Sequence, residues 1–302
     1  MPSKMILSLC FLAGSLFAAC PVVPEKGLVA FYPFDGNADS HGPVEGLDGT
    51  VHRATLSTDR FGNPNSAFHF GGSDSAYIEV PDNDVFSIST TGALTVSAWM
   101  SPDSADFEIT DNGYVHWMGK GEARAQEWTL RMYNFDSERP NRISAYAFNL
   151  SGGLGAGSYV QGKVVPGEWL HIAARYDMES NTIAIFRNGE KMDQDSLYDF
   201  TYKVIPENGD APVRMGTRSL WSFFKGKIDD VRFYGRALSD DEIRALFLEC
   251  PESSDRIFAV EKSLGTRSRA AVEFREGKVC VFREGFSGGA FSVDGRKVRF
   301  GR

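Results

Sequence analysis

The sequence predicts an all-β protein: a two-sheet antiparallel jelly-roll sandwich with a short β-rich appendage at its C-terminal end. Three observations carry that expectation. Short runs that alternate apolar and polar residues, such as ALTVSAWMSP (93–102) and EWTLRMYN (127–134), succeed one another through most of the chain, and a period of two is the mark of a half-buried strand. Gly, Asn and Asp punctuate these runs every few residues, as tight turns require. Composition leans the same way, with 23 Phe and 10 Tyr suited to pleated surfaces and 31 Gly suited to turns.

Taken in order, GLVAFYPF (27–34) is the first strand and runs into the turn-rich DGNADS (35–40). Two short strands follow around the loop DRFGNPN, then SAYIEVP (75–81) and ALTVSAWMSP. In the last of these Leu94, Val96 and Ala98 oppose Thr95, Ser97 and Trp99. VHWMGKG, EWTLRMYN, NRISAYAFN, GEWLHIAARYD, TIAIFRNGEK and APVRMGT continue the series. The closing strand lies in FFKGKIDDVRFYGRALS (223–239), where strict alternation sets Asp229, Val231 and Phe233 on one side and Ile228, Asp230, Arg232 and Tyr234 on the other. An acid among core hydrophobes needs hydrogen bonds or a cation, which singles out Asp229. One helix is expected, SDDEIRALFLE, with Ser239 as N-cap, acids in its first turn, and Ile243, Leu246 and Phe247 on one face.

At 302 residues, 42% hydrophobic and 24% charged, the chain can form one large β domain plus an appendage. A net charge of -8 excludes the footprint of a nucleic-acid binder. It suits a neutral or cationic ligand, or a divalent metal. Residues 1–20 read as an export signal, one positive charge followed by an apolar run too short to span a membrane. Its end, LFAAC, resembles a bacterial lipobox, which would lipidate Cys20 and tether the protein to the cell surface or outer membrane; plain secretion is the alternative. If Cys20 is acylated, Cys250 and Cys280 are the pair left to form a disulfide in an oxidising compartment. Otherwise Cys20 and Cys250 bracket the domain and can staple its ends. Beyond Cys250, residues 251–302 carry eleven Lys and Arg against seven Asp and Glu, a basic β-rich tail that could dock on the acidic domain or act as a sorting segment.

GLVAFYPFDGNADS, DRFGNPNSAFHFGGSDSAYIEVPD, ALTVSAWMSP, GEWLHIAARYD, IFRNGEK and GKIDDVRFYGRALSDDEI together resemble, in order, the LamG-like jelly-roll domain of the concanavalin A-like lectin/glucanase superfamily. The resemblance assigns residues 21–250 to that domain and implies two stacked antiparallel sheets with first and last strands adjacent. An acidic insertion, SADFEITDNGYVHWM (104–118), departs from the pattern at a sheet rim. The resemblance also implies a structural Ca2+ ion near a sandwich edge, for which Asp35, Asn37 and Asp229 offer oxygen ligands.

Hydrolases on this fold need two carboxylates at a set separation, and the E-x-D-x-(x)-E strand of the laminarinase-like branch is missing from the sequence. So are Gly-x-Ser-x-Gly, a His pair at metal spacing and a phosphate loop. The expectation is therefore a non-catalytic module that recognises a glycan or a surface protein outside the cell. A polysaccharide hydrolase and a purely structural spacer are the alternatives. Sugars stack on exposed aromatic rings, and the candidates are Trp117 beside the insertion and Trp221 in SLWSFF, with Tyr114 and Trp128 behind them. Trp99 and Trp169 sit in core-strand motifs and are assigned to packing.

Overall fold

The computed structural model describes residues 20–250, apart from 74, 123–124, 150–155 and 198–205, and beyond Cys250 only the strands of a small sheet. The export-signal reading of residues 1–19 lies outside the described residues. Along the chain the strands are β1 (Leu28–Tyr32), β2 (Thr50–His52), β3 (Thr55–Ser57), β4 (Ala67–Gly71), β5 (Tyr77–Val80), β6 (Ala93–Pro102), β7 (Tyr114–Glu122) and β8 (Ala125–Tyr133). There follow β9 (Arg142–Ala147), β10 (Ala156–Gln161), β11 (Leu170–Asp177), β12 (Thr182–Arg187), β13 (Glu190–Ser196), β14 (Val213–Met215) and β15 (Lys225–Tyr234). The helices are α1 (Ile88–Thr91) and α2 (Asp240–Phe247). An eight-stranded sheet has the order β13-β12-β11-β6-β15-β4-β3, with β1 also paired to β15, and a seven-stranded sheet has the order β10-β9-β8-β7-β14-β5-β2. All pairings between the named strands of the two sheets are antiparallel, and the first and last strands are neighbours as expected, with Tyr32 opposite Val231. After Cys250, β16 (Ala270–Arg275), β17 (Lys278–Arg283), β18 (Ala290–Phe291) and β19 (Lys297–Val298) form a four-stranded antiparallel sheet of their own.

The alternation in the sequence becomes two faces. In β6, Leu94, Val96, Ala98 and Met100 enter the core between the sheets, as do Ile172, Ala174 and Tyr176 of β11 and Leu130 and Met132 of β8. The opposite residues of the eight-stranded sheet are covered by α2, whose Ile243 and Leu246 pack on Ala173, Ala184, Phe186 and Tyr234. Ser239 accepts from the Glu242 amide while Glu242 reaches back to the Ser239 amide, a reciprocal cap. Such a cap contributes roughly 1 kcal/mol.

β15 departs from strict alternation. Asp229 lies opposite Trp99, but the next aligned pair is Arg232 with Ser97, so one extra residue is inserted. Asp230 absorbs it with φ +47°, a conformation that Asp tolerates better than most residues. The consequence corrects the face assignment. Ile228, Val231 and Phe233 all point into the core, whereas Asp229, Arg232 and Tyr234 share the outer face. The bulge therefore moves Asp229 away from the hydrophobes with which simple alternation grouped it.

The disulfide joins Cys20 to Cys250, with Cα atoms 5.8 Å apart and a sequence separation of 230. This overturns the Cys250–Cys280 pairing and matches the alternative. A Cys20 held in this bridge has no sulfur free for a lipid thioether, since one sulfur cannot form both bonds. The reason is the adjacency of β1 and β15. The Tyr234 hydroxyl donates to the Pro24 carbonyl at 2.9 Å and Arg236 Nε to the Lys26 carbonyl at 2.7 Å, which lays the N-terminal segment beside the end of the domain. Among the described residues, no helix is long and apolar enough to cross a membrane.

Candidate functional site

The sandwich has two outer faces, and they differ in chemistry. On the seven-stranded sheet, strand register aligns His116, Arg131, Ser144 and Tyr159 in one row across β7, β8, β9 and β10. The next row is Gly119, Thr129, Tyr146 and Gly157. The two glycines let long side chains lie flat. A Cβ on Gly157 would stand 2.6 Å from the Tyr146 ring, and one on Gly119 would stand 3.0 Å from Arg218 Cγ.

Onto this floor is laid an arginine stacked on tyrosines. The Arg131 guanidinium lies 3.6 Å from the centre of the Tyr146 ring, 4.5 Å from Tyr114 and 5.4 Å from Tyr133. Each contact of this kind gains about 0.5–2 kcal/mol, more where water is excluded. His116 is buried, with Nδ1 2.9 Å from the Thr129 hydroxyl and Nε2 3.6 Å from Asp111. Burial drives the His116 pKa down to about 3 against the pull of Asp111, and Arg218 and Arg131 push the same way as burial. The imidazole is neutral at physiological pH. Arg214, by contrast, is fully engaged, donating to Glu79 at 2.7 Å and Glu122 at 2.6 Å.

The loop Thr217–Phe223 closes over one side of this face. Its backbone is tied down by Thr217 Oγ1 donating to the Ser222 carbonyl and accepting from the Leu220 amide, and by Arg214 donating to the Arg218 carbonyl. The His116 amide donates to Ser222 Oγ at 3.0 Å, and the Phe223 amide donates to the Ile109 carbonyl of the acidic insertion. Thr217, Arg218, Ser219 and Ser222 are buried, yet Leu220 is 41% and Trp221 59% exposed. Leu220 has φ +62°, an unfavourable conformation for a bulky side chain that only a well-held loop sustains. A firmly anchored loop thus presents an unburied tryptophan.

Of the four residues expected to stack on sugars, Trp221 is exposed and Tyr114 half-buried at this face, while Trp117 and Trp128 are fully buried. The last two are corrected to core residues. Trp128 alternates inward and donates Nε1 to the Phe86 carbonyl at 2.8 Å. Trp117 alternates inward with Val115, and the register slip between His116 and Met118 then brings Met118 inward as well. The sequence reading missed Arg131, Tyr146 and Arg218, although the alternation of EWTLRMY and RISAYA already turned Arg131 and Tyr146 outward.

On the other outer face, Asp229 belongs to a charged clamp beside the disulfide. Arg60, from the loop between β3 and β4, bonds Asp230 and lies 3.4 Å from Asp229 and 3.8 Å from Glu249. Arg232 binds Glu249 at 2.7 Å, and the Arg60 guanidinium also lies 4.5 Å from the Trp99 ring. Burial, then the neighbouring Asp230 charge, push the Asp229 pKa up to about 9. Asp35 and Asp229 do line one cleft of about 280 Å³, but Arg60 lines it with them. Asn37 is turned to Asp39, donating its amide at 2.7 Å. The proposed calcium ligands therefore do not fit the ion: a guanidinium holds Asp229, and among the described residues no three His, Cys, Asp or Glu side chains are grouped to bind a metal.

Residues 70–244 match the model of the concanavalin A-like lectin/glucanases superfamily. The chain belongs to that superfamily. No curated protein matches it. Among solved structures, this concanavalin A-like chain is similar to domain 4 of AbnA, an extracellular arabinanase of Geobacillus stearothermophilus solved with arabinotriose. That likeness has 18% identity and a TM-score of 0.54 over 72% of this chain and 97% of that one. It is also similar to the binding domain of botulinum neurotoxin DC in complex with SialylT, at 12% identity and a TM-score of 0.52, covering 74% of this chain and 51% of that one. A sialidase of Trypanosoma rangeli aligns at 17% identity with a TM-score of 0.50, covering 78% of this chain but 34% of the sialidase. At these identities the likeness is one of fold.

Proposed function

We propose that this protein is an exported, non-catalytic recognition module that holds a glycan on the outer face of its seven-stranded sheet. The observation that carries the reading is Trp221, 59% exposed on a loop whose residues other than Leu220 and Trp221 are buried and which is tied down by hydrogen bonds from Thr217. A rigidly held indole offers a stacking surface at low entropic cost. On the outer face of the sheet, Tyr114, Tyr146 and Arg131 supply further ring faces and donors for sugar hydroxyls. The arabinotriose and SialylT complexes of the similar domains support a glycan as ligand, and the disulfide suits an oxidising compartment outside the cell.

The non-catalytic reading rests on the acids of this face. Glu79 and Glu122 are both bound by Arg214, and Asp111 is held below the usual carboxylate range, chiefly by His116. A glycosidase acid needs the opposite shift, upward, so that it keeps a proton to deliver. Leu220, exposed beside Trp221, favours one second reading, in which the apolar tip docks on a protein. A glycan array separates the two. Selective glycan binding that falls at least tenfold in Trp221→Ala, with the melting temperature unchanged, supports the proposal. A blank array, or hydrolysis of a bound polysaccharide, overturns it.

A further inference from the structure

Two arginines on the proposed glycan face lack the partners that buried guanidiniums normally have. Arg131 is 7% and Arg218 2% exposed. Among the described residues, neither has a carboxylate within ion-pair distance, whereas Arg60, Arg175, Arg214, Arg232 and Arg236 all do. Arg131 makes one marginal side-chain hydrogen bond, Nε to Ser144 Oγ at 3.5 Å. Arg218 makes two, to Gln126 Oε1 at 3.5 Å and Ser219 Oγ at 3.4 Å, and its buried Nε has no hydrogen-bond partner. Burial and the Arg131 charge lower the Arg218 pKa to about 10, although Asp111 pulls the other way. Burying a guanidinium without a counter-charge costs several kcal/mol, and stacking on tyrosine rings offsets only part of that cost. These are donors held ready for an acceptor that the chain does not itself supply.

We infer that the glycan recognised on this face carries an anionic group, a carboxylate or a sulfate, received by Arg131 and Arg218. The guanidinium fork matches both anions, because each presents paired oxygens to parallel N–H donors. This departs from the partner that the overall charge of -8 suggests, since neither guanidinium has, among the described residues, a carboxylate at ion-pair distance to satisfy it. The inference rests on the seven-stranded sheet being the glycan face.

The test is calorimetric titration of the whole protein with three oligosaccharides: an oligogalacturonate for the carboxylate, a dextran sulfate for the sulfate, and a neutral arabino-oligosaccharide. One acidic ligand is expected to bind at least tenfold more tightly than the neutral one, and more weakly as salt is raised. Which one does so distinguishes the two anions. Arg131→Gln is expected to lose at least tenfold more affinity for the acidic ligand than for the neutral one, which it also weakens through the lost donor for sugar hydroxyls, with Arg131→Lys recovering part of the loss on the acidic ligand. Should Arg131→Gln not fold, the ligand preference and salt dependence of the parent protein still decide. Neutral binding as tight as acidic binding, an equal loss on both ligands, or equal binding of poly-glutamate overturns the inference while leaving the glycan face intact. No binding of any saccharide overturns both.

Discussion

Asp229→Asn should make the protein less sensitive to pH between 5.5 and 7.5. In the folded protein three carboxylates, Asp229, Asp230 and Glu249, share two guanidiniums, Arg60 and Arg232. Burial, then Asp230, raise the Asp229 pKa to about 9, against about 3.9 in an unfolded chain. Between those values the native state holds a proton that the unfolded state has released. The stabilising contribution of Asp229 is therefore complete below about pH 4 and is lost progressively as the pH rises toward 9. Each pH unit in the window corresponds to at most about 1.4 kcal/mol, so two units give about 2–3 kcal/mol. Asparagine has no proton to lose, and it keeps an oxygen for the Asp230 amide that now donates to Asp229 at 2.7 Å. His116 and His171, whose pKa values burial lowers to about 3, titrate in parent and variant alike and cancel in the difference. Urea unfolding at pH 5.5, 6.5 and 7.5 should show the variant gaining on the parent by about 2–3 kcal/mol from the lowest to the highest pH. Parallel stability curves would mean that Asp229 is ionised throughout, and the reasoning from burial would be refuted.

Removing the disulfide by Cys20→Ser, Cys250→Ser, or a reductant should cost about 2–5 kcal/mol, because the bridge closes a loop of 230 residues. For a domain of this size that is roughly 5–15 °C in melting temperature, and an unchanged melt under reducing conditions would contradict the bridge. Gly157→Ala places a Cβ 2.6 Å from the Tyr146 ring and should lift that ring from the sheet, disturbing its stacking with Arg131. The expected outcome is a stability loss of about 1–3 kcal/mol and glycan affinity reduced at least fivefold, measured by thermal melts and calorimetry. Unchanged affinity would show that Tyr146 takes no part in binding.

Much of the sandwich was legible because its signal is local. The inward alternation of Leu94, Val96 and Ala98 and the cap at Ser239 are each readable from a few neighbouring residues. The face of Asp229 was not, because a bulge at Asp230 depends on how β15 pairs with β6, and period-two counting has no place for an inserted residue. The same holds for Met118, which follows Trp117 into the core through an irregular register, whereas Trp117 itself alternates inward with Val115 in YVHWM. Trp128 could have been assigned inward from EWTLRMY alone, since it shares a side with Leu130 and Met132. Trp221 was recognised from its irregular surroundings in SLWSFF. Arg218 was not, because what marks it is the lack, among the described residues, of a carboxylate at ion-pair distance, a property of the folded surface that nearest neighbours in sequence do not reveal.

Hydroxyl-radical footprinting with and without a saturating glycan tests the proposed binding face most directly, because it locates the ligand without presupposing the contacts. The expected result is protection of Trp221, Tyr114 and Tyr146, with Phe61 beside the Arg60 clamp unchanged. Protection at Phe61 on the opposite face, with Trp221 still reactive, would contradict the account.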